Sequence, residues 1–544
     1  MARLASENIW TATRVFSFVA VLLPFLALGG GLLSASSEYW NYVRDHLLRA
    51  YFAETLLLTV LSSTLAFIIG VTLAWLMSLY DFWGKRFFEV VLVLPLAIPP
   101  YIAAYSYDGL IGYTGMIQTF FRDNFDLRLS GFMSAIGARY WAVFVFSATL
   151  FPYVYILTRA FLRKQSASLF ENALLLGGGR LRLFWRVGLP LLWPSASAGA
   201  ILVGLETLND FGVSSYYGLS TFTTAIFAAW FGMGDADTAV KLALMLLGLV
   251  FIILLIRKAT QNARRYHIVS SREKLLSPRR VYGTRQIVII GLCALAVFAG
   301  FGAPLVQMFY WLTMSWETAF DAELARAVLF TLGVSAMATA LVMLAAAGTV
   351  NANRQFKGRF SNVLSQGATM GYAIPSAVLA IGVISFFTWA DDRLVGFFSS
   401  LSGRPMSQSI VMLVFAFFLR FFTIGYQAVE SGFAKTSLTY SEASRTLGRG
   451  VTSTFFRVDL PLLRSALFSG SALVFIDILK ELPLSLLLRP FNTETLGTTV
   501  YHFANNEVLE ETAVPSLCII LAGAVFILLM RFWEETGEAR VSGS

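Results

Sequence analysis

The chain of 544 residues contains little charge, almost no cysteine and almost no histidine. Asp, Glu, Lys and Arg make up 13% of it, whereas an ordinary soluble domain has roughly 25%. The two cysteines, Cys293 and Cys518, lie in apolar segments without metal-type spacing, which indicates packing residues rather than a disulfide or a ligand pair. The three histidines, His46, His267 and His502, are scattered, so a histidine metal site is not predicted.

A phosphate-binding loop is also missing. Such a loop reads Gly-x-x-x-x-Gly-Lys-Ser/Thr, because its backbone N–H groups and its lysine hold the phosphates of ATP. Here Gly84-Lys85 has neither the upstream glycine nor the following hydroxyl. We therefore predict that the chain has no catalytic residues, binds no cofactor and does not hydrolyse ATP itself.

Apolar residues take the place of the missing charge. The chain is 57% hydrophobic and 15% aromatic, with a mean hydropathy of +0.69, which indicates a polytopic membrane protein in a lipid bilayer. A membrane helix needs ~20 largely apolar residues to cross ~30 Å of hydrocarbon, and about twelve segments meet that requirement. We expect them near 15–36, 54–79, 88–108, 140–161, 191–217, 238–256, 286–312, 326–349, 362–388, 408–428, 462–487 and 513–532. The first could be a signal peptide, but it lacks a convincing cleavage site and is interpreted as a retained anchor.

Basic residues predict the orientation of the chain. The segment 257–285 contains many basic residues and a single acid, Glu273, which places it in the cytoplasm by the positive-inside rule. Counting spans outward puts the other basic loops on the same side and the acid-rich loops on the opposite side, with both termini inside. This arrangement explains the net charge of +9 without a nucleic-acid partner.

A repeated motif predicts the architecture. The first copy reads Glu171-Asn172-Ala173, then Gly177 and Leu189-Pro190, and the second reads Glu442-Ala443-Ser444, then Gly448 and Leu460-Pro461. The glutamate, the glycine and the Leu-Pro pair recur with an offset of 271 residues. An internal repeat of this kind predicts two homologous membrane domains, 1–256 and 286–544, joined by the basic linker 257–285. The motif lies in the first repeated loop, 165–190, and in the second repeated loop, 436–461.

Each repeated loop has the features of a short docking helix. The glutamate favours a helix N-terminus, and the small residues after it let another protein approach closely. The glycine then allows a turn, and Leu-Pro restarts a helix as the next span. An ordinary amphipathic loop between spans is the alternative, but identical spacing in two copies favours docking to a partner.

Acidic residues in the fifth and eleventh spans are the second unusual feature. Glu206 and Asp210 are spaced i, i+4, as are Asp477 and Glu481, so each pair is expected to share a helix face. Ionisable residues inside a span are costly and usually face a cavity or a partner. The four carboxylates could form a cage for a trivalent cation, which prefers oxygen ligands. Alternatively, neighbouring amides or the basic residues of the segment 480–489 neutralise them, and they fix helix packing.

At these residues the chain resembles the permease subunits of ABC importers, the MetI-like inner-membrane components of binding-protein-dependent transport. The repeated loops resemble their EAA signature, although the copies read Glu-Asn-Ala and Glu-Ala-Ser, and the segments 97–100 and 373–376 resemble the Ile-Pro element of their third core span. The resemblance covers nearly the whole chain and implies an all-α fold of two halves, each with five core helices and one added N-terminal helix. It also implies a bacterial inner membrane, a separate ATP-binding subunit (most simply a homodimer) under the repeated loops, and a periplasmic binding protein that delivers the substrate.

Two segments carry a resemblance that concerns the substrate. The segments 205–226 and 480–490 closely resemble ferric-iron permeases of the Fbp/Sfu/Hit type, which are also fused proteins. This implies Fe(III) as the substrate, transport by alternating access, and the four acids as candidate residues of the substrate pathway. Permeases for thiamine or an aminophosphonate stay open as alternatives, although a phosphonate would want basic residues in these spans. A secondary transporter usually has inverted repeats, whereas both repeats here run in the same orientation.

We expect the double substitution Gly177→Asp with Gly448→Asp to abolish transport while the protein stays in the membrane. The change places a charge at each predicted docking turn and alters no apolar span. Uptake would be measured beside the amount of chain in the membrane fraction. Normal uptake by a stably inserted double variant would contradict docking at the repeated loops.

Overall fold

The structure is a computed structural model that describes residues 2–31, 37–126, 136–163, 180–262, 278–317, 321–355, 371, 374–397, 406–407 and 409–542. In the first half the α-helices are α1 (Ala2–Gly31), α2 (Glu38–Tyr42), α3 (Leu48–Leu79), α4 (Lys85–Val91), α5 (Pro100–Ile111), α6 (Met116–Phe125), α7 (Ala138–Leu162), α8 (Arg180–Leu183), α9 (Leu189–Asn209), α10 (Gly212–Tyr216), α11 (Phe222–Phe227) and α12 (Ala236–Asn262). In the second half they are α13 (Thr284–Val297), α14 (Ala303–Ser315), α15 (Ala322–Gln355), α16 (Ser376–Phe397), α17 (Ile410–Lys435), α18 (Leu438–Thr446), α19 (Val451–Thr454), α20 (Leu460–Leu479), α21 (Pro483–Leu488), α22 (Leu496–Asn505) and α23 (Ala513–Ser542).

The number of spans agrees with the sequence analysis. Within the described residues, ten helices are long and apolar enough to cross a membrane, and the bent pair Lys85–Ala97 and Pro100–Phe125 makes an eleventh. The ninth predicted span, 362–388, begins outside the described residues, and α16 occupies its second part. The prediction of an all-α, polytopic membrane protein with about twelve helices is therefore confirmed.

The third span is not the straight helix expected at 88–108. Its two segments meet at an angle of 94°, with Ile98 and Pro99 between them. A proline donates no backbone hydrogen bond and disfavours helical geometry in the residue before it. Because Pro99 and Pro100 follow one another, the helix ends before this pair and begins again in a new direction.

The fifth and eleventh spans begin and end earlier than expected. They run over Phe184–Asn209 and Val451–Leu479, whereas the hydropathy pattern placed them at 191–217 and 462–487. Each passes through a π turn, Phe184–Gly188 or Phe455–Asp459, directly before the Leu-Pro pair. The leucine N–H bonds to the carbonyl five residues earlier, so the helix continues past a proline that cannot donate. The Leu-Pro pair therefore lies inside a helix and does not restart one.

The repeat is visible in these details of the backbone. The two π turns keep the offset of 271 residues that the motif has. Farther along, the N–H of Phe222 donates to Thr55 Oγ1 at 3.0 Å, and the N–H of Leu496 donates to Thr331 Oγ1 at 2.8 Å. Each bond attaches the second helix after the break, α11 or α22, to the second span of the same half.

The two halves exchange their first helices. Helix α1 packs on α15 and α16 of the second half, where Trp10 Nε1 donates to Thr452 Oγ1 at 3.3 Å and Ser17 Oγ lies 3.2 Å from Thr349 Oγ1. In return, α14 packs on α5 of the first half. Each of the two apolar cores therefore contains helices from both sequence halves, which couples the halves mechanically.

A short parallel strand pair lies on one side of the molecule. Strand β1, Tyr80–Asp81, follows the second span, and it pairs with β2, Arg279–Arg280, from the linker between the halves. Arg280 also forms an exposed ion pair of 3.4 Å with Asp81. The linker and the basic loop after the second span therefore share one side, as the charge pattern predicts.

We expect cysteines at Thr13 and Gly348 to form a disulfide, because a Cβ on Gly348 would lie 3.3 Å from the Cβ of Thr13. Disulfides hold their Cβ atoms ~3.5–4.5 Å apart, so a small adjustment suffices. The chain would carry Cys293→Ala and Cys518→Ala and a protease site inserted between 263 and 277. After cleavage, a non-reducing gel should show the two fragments still joined.

A matched control replaces Gly333, which also lies on α15 but has no heavy atom within 4 Å of its Cβ position. The pair Thr13→Cys with Gly333→Cys should release two separate fragments. Separate fragments from the pair at Gly348 as well would contradict the exchange of first helices.

Candidate functional site

The second repeated loop folds into a short exposed helix, α18. Ser437 caps its N-terminus by accepting the N–H of Thr439 at 3.2 Å. Gly448 ends it with φ +84°, a left-handed conformation that glycine adopts without strain, and its N–H donates to Arg445 O at 3.0 Å. Glu442 therefore lies in the second turn and does not open the helix as expected, because the serine cap lies five residues ahead of it.

One face of α18 is attached to the eleventh span. Ser441 Oγ donates to Asp459 Oδ1 at 2.6 Å, and that carboxylate lies 3.6 Å from Nη1 of Arg354 on α15. One helical turn farther on, Ser444 Oγ lies 3.1 Å from Thr454 Oγ1. A displacement of α18 would therefore move the start of the eleventh span with it.

The rest of α18 faces outward. Glu442 and Ala443 are exposed, and so are the apolar side chains of Leu438 and Tyr440 and, directly after the helix, of Leu447, which is 83% exposed. A helix that presents apolar side chains beside a carboxylate can seat in a groove of another protein.

The first repeated loop falls mostly outside the described residues. Glu171, Ala173 and Gly177 lie there, while Leu189 and Pro190 are described and continue the helix from the π turn into α9. Gly188 occupies the position equivalent to Asp459, and a Cβ on it would lie 2.5 Å from the ring of Trp75. In the first half this position therefore packs against an aromatic ring, whereas in the second half it carries an ion pair.

The fifth and eleventh spans both break at an acid. Helix α9 ends at Asn209, and Asp210 Oδ2 accepts the N–H of Ser214 at 3.1 Å in the next helix. Helix α20 ends at Leu479, and Glu481 Oε1 accepts the N–H of Leu484 at 3.3 Å. Each carboxylate thus satisfies a backbone donor that the break has left without a helical partner.

The breaks of the two halves meet through the Ile-Pro element. The N–H of Ser376 donates to Asn209 Oδ1 at 2.5 Å, and its hydroxyl donates to Glu481 Oε1 at 2.6 Å. Arg420, buried in α17, donates to the carbonyl of Ile374. Ser376 therefore links the break of the first half to that of the second.

The four acids do not form the cage considered from the sequence. Among the described residues, which include all four, no three His, Cys, Asp or Glu side chains are placed to hold a metal ion. Asp477 pairs with Lys480 at 2.7 Å, and Lys480 also lies within electrostatic range of Glu206. Asp210 and Glu481 lie beyond the ends of their helices, so neither shares a continuous helix face with its i−4 partner. In this conformation Asp210, Asp477 and Glu481 bond to neighbouring backbone, hydroxyl and lysine groups.

A cavity of about 470 Å³ lies between the halves, beyond the broken ends of the fifth and eleventh spans. We call it the vestibule. The residues of its wall used below are Phe211, Ser214, Ser215, Thr224, Phe227, Arg489 and Tyr501. Ser215, Thr224 and Arg489 lie in the two segments that resemble ferric-iron permeases, but the sequence assigned them no individual role, and only the fold places them around one cavity.

The sequence also gave no signal for Asp108. Its carboxylate accepts a hydrogen bond of 2.6 Å from Tyr216, which ties α10 to α5. The pairing spans 108 residues and rests on the bend of the third span, which turns α5 towards α10.

Comparison with known proteins identifies the fold. Residues 66–266 and 343–543 match the family described as binding-protein-dependent transport system inner membrane component. The chain belongs to this family. The two matched segments of this permease begin within α3 and within α15, so the exchanged helices α1, α13 and α14 precede the parts that the family shares.

Relatives of the permease carry names with different substrates. The Fe(3+)-transport system permease protein FbpB 2 of Haemophilus influenzae is 25% identical over 94% of this chain and 95% of the relative. The sulfate transport system permease protein CysT of Salmonella typhimurium is 28% identical over 36% of this chain and 69% of the relative. The molybdenum transport system permease protein ModB of Escherichia coli is 30% identical over 37% of this chain and 90% of the relative. The first matches both halves of the permease, and the other two match little more than a third of it.

We expect Asp459→Asn to destabilise the permease by ~3 kcal/mol, because it leaves the largely buried guanidinium of Arg354 without its counter-charge. An asparagine can still accept the bond from Ser441, so the change tests the charge alone. The double variant with Arg354→Gln should regain part of the loss, since no unpaired charge remains. Thermal unfolding in detergent measures all three variants.

The control is Asp45→Asn, which breaks the ion pair with Arg44 on the surface. Both side chains there are about half exposed, so the variant should unfold like the wild type. An unchanged melting temperature for Asp459→Asn would contradict a stabilising role of the ion pair between Asp459 and Arg354.

Proposed function

We propose that the chain is the permease subunit of a bacterial ABC importer for ferric iron. The observation that carries the proposal is the match over 94% of the chain to an Fe(3+)-transport permease of the same two-half length. The sulfate and molybdenum relatives match a much smaller part of the chain, and the resemblance of the segments 205–226 and 480–490 to ferric-iron permeases favours the same substrate.

A separate ATPase drives the transport in this proposal. The exposed helix α18 supplies one docking point, and the first repeated loop supplies the other. Two docking points with the same motif suit a homodimer of ATP-binding subunits, one under each half. The positive-inside rule places these loops, the linker and both termini in the cytoplasm of a bacterial cell. The contact between Trp10 and Thr452 supports this, because it sets the start of α1 beside the second repeated loop.

Alternating access follows from the continuity of the helices. A periplasmic binding protein loads the outer face, and closure of the ATPase dimer moves the repeated loops. Because α19, the π turn and α20 form one helix, that movement reaches the break at Glu481. There Ser376 bonds to Asn209 of the first half and to Glu481 of the second. Breaking and re-forming these hydrogen bonds would open or close the passage between the halves.

The test is ATP hydrolysis by the complex of permease and copurified ATPase in lipid, with candidate binding proteins. We expect stimulation by a binding protein loaded with Fe(III) and none by the same protein without iron. Binding proteins loaded with thiamine, sulfate or molybdate are the matched comparisons.

Stimulation by one of these other proteins alone would keep the importer class and discard iron. Failure of any ATPase to copurify would contradict the importer itself and favour a secondary transporter.

A further inference from the structure

We propose that the vestibule binds an anion that presents oxygen atoms, and that iron therefore crosses this permease as a negatively charged ferric chelate. The inference rests on the proposed function and specifies the chemical form of its substrate.

The wall of the vestibule has the wrong charge for a bare cation. Among the described residues that form it, Arg489 is the only charged one, and no carboxylate is present. Hydroxyl groups of Ser214, Ser215, Thr224 and Tyr501 supply its other polar side-chain atoms, and those of Ser214 and Thr224 already donate within the first half. A trivalent cation prefers anionic oxygen ligands, whereas a guanidinium with nearby hydroxyls matches the geometry of carboxylate and phosphate oxygens.

Arg489 is held in a fixed position. Its Nη1 donates to Thr493 O at 3.0 Å and pairs with Glu494. Glu494 in turn accepts a bond of 2.6 Å from Thr498 Oγ1, in the first turn of α22. Both contacts of the arginine use Nη1, and a guanidinium also carries donors on Nη2 and Nε. The side chain is 30% exposed, which leaves it accessible to a ligand in the cavity.

Aromatic side chains make the vestibule favourable for charge pairing. Phe211 and Phe227 stack with ring centroids 3.8 Å apart, and Phe211 lies 5.6 Å from the ring of Tyr501. Apolar surroundings lower the local dielectric, so the attraction between a guanidinium and an anion is stronger there than in water. Because Glu494 already pairs with Nη1 of Arg489, an anion in the vestibule would use the Nη2 and Nε donors that this pair leaves open.

The repeat places Arg489 in a stretch that is longer in the second half. The turn before the capping threonine holds Gly218 at φ +64° in the first half and Asn492 at φ +56° in the second, three residues before Thr221 and Thr495. The connection that leads to this turn is three residues longer in the second half than in the first, and Arg489 lies in it. Within the described residues, only one half therefore gives the vestibule a charged side chain.

The experiment measures the binding of ⁵⁵Fe-labelled ferric citrate to the full-length permease in lipid nanodiscs. We expect saturable binding that weakens at least tenfold in Arg489→Gln and much less in Arg489→Lys. The matched control is Glu494→Gln, which removes the ion pair but keeps the cation, and it should bind as well as the wild type or better.

Each other result has a distinct meaning. Equal losses in Arg489→Gln and Glu494→Gln would assign the arginine a structural role and overturn the inference. Undiminished binding of ferric citrate by Arg489→Gln would also overturn the inference. In that case, stimulation of ATP hydrolysis by an iron-loaded binding protein would still support the proposed function. Binding of molybdate or sulfate that depends on Arg489, without binding of ferric citrate, would support the anion site and discard iron as the substrate.

Discussion

Hydrocarbon cannot satisfy backbone hydrogen bonds, and the centre of this permease is organised by that constraint. The spans that meet there are broken, and each break leaves N–H and C=O groups without helical partners. Asp210 and Glu481 accept the N–H groups of the helices that follow them, Asn209 accepts the N–H of Ser376, and Arg420 donates to the carbonyl at Ile374. These polar residues of the spans therefore lie where the backbone is interrupted.

The π turns at Phe184–Gly188 and Phe455–Asp459 have the opposite effect, because they keep a helix continuous past a proline. An i→i+5 bond to Leu189 or Leu460 lets the helix include a residue that cannot donate. The fifth and eleventh spans are thus rigid from the repeated loops to the breaks. Rigid helices that end in rearrangeable hydrogen bonds transmit a displacement over the ~30 Å that twenty helical residues cover. The repeated Leu-Pro pair marks this arrangement, although its position inside the helix is not apparent from the sequence.

The sequence predicted what depends on local pattern and composition. Hydropathy located the spans, and spacing located the repeat, because both signals lie within short stretches of chain. The exchange of first helices could not be predicted, since Trp10 and Thr452 are 442 residues apart and any membrane-facing helix looks alike in composition. The carboxylate cage was inferred from i, i+4 spacing, which holds only in a continuous helix. Because α9 ends at Asn209, Asp210 leaves the face that Glu206 occupies.

Fusion of the two halves into one chain allows them to differ, and the differences concern charge. Where the second half has Asp459, the first half has Gly188, and Arg489 lies in a connection of the second half that is three residues longer than its counterpart. A protein built from two identical copies could not place a cation on one side of its vestibule only. It would place two arginines symmetrically, and their mutual repulsion would raise the cost of leaving the site empty. A single arginine on one half, paired with a glutamate of the same half, avoids that repulsion and still attracts an anion. The asymmetry of the halves is therefore a physical condition for a vestibule that binds an anion weakly enough to release it.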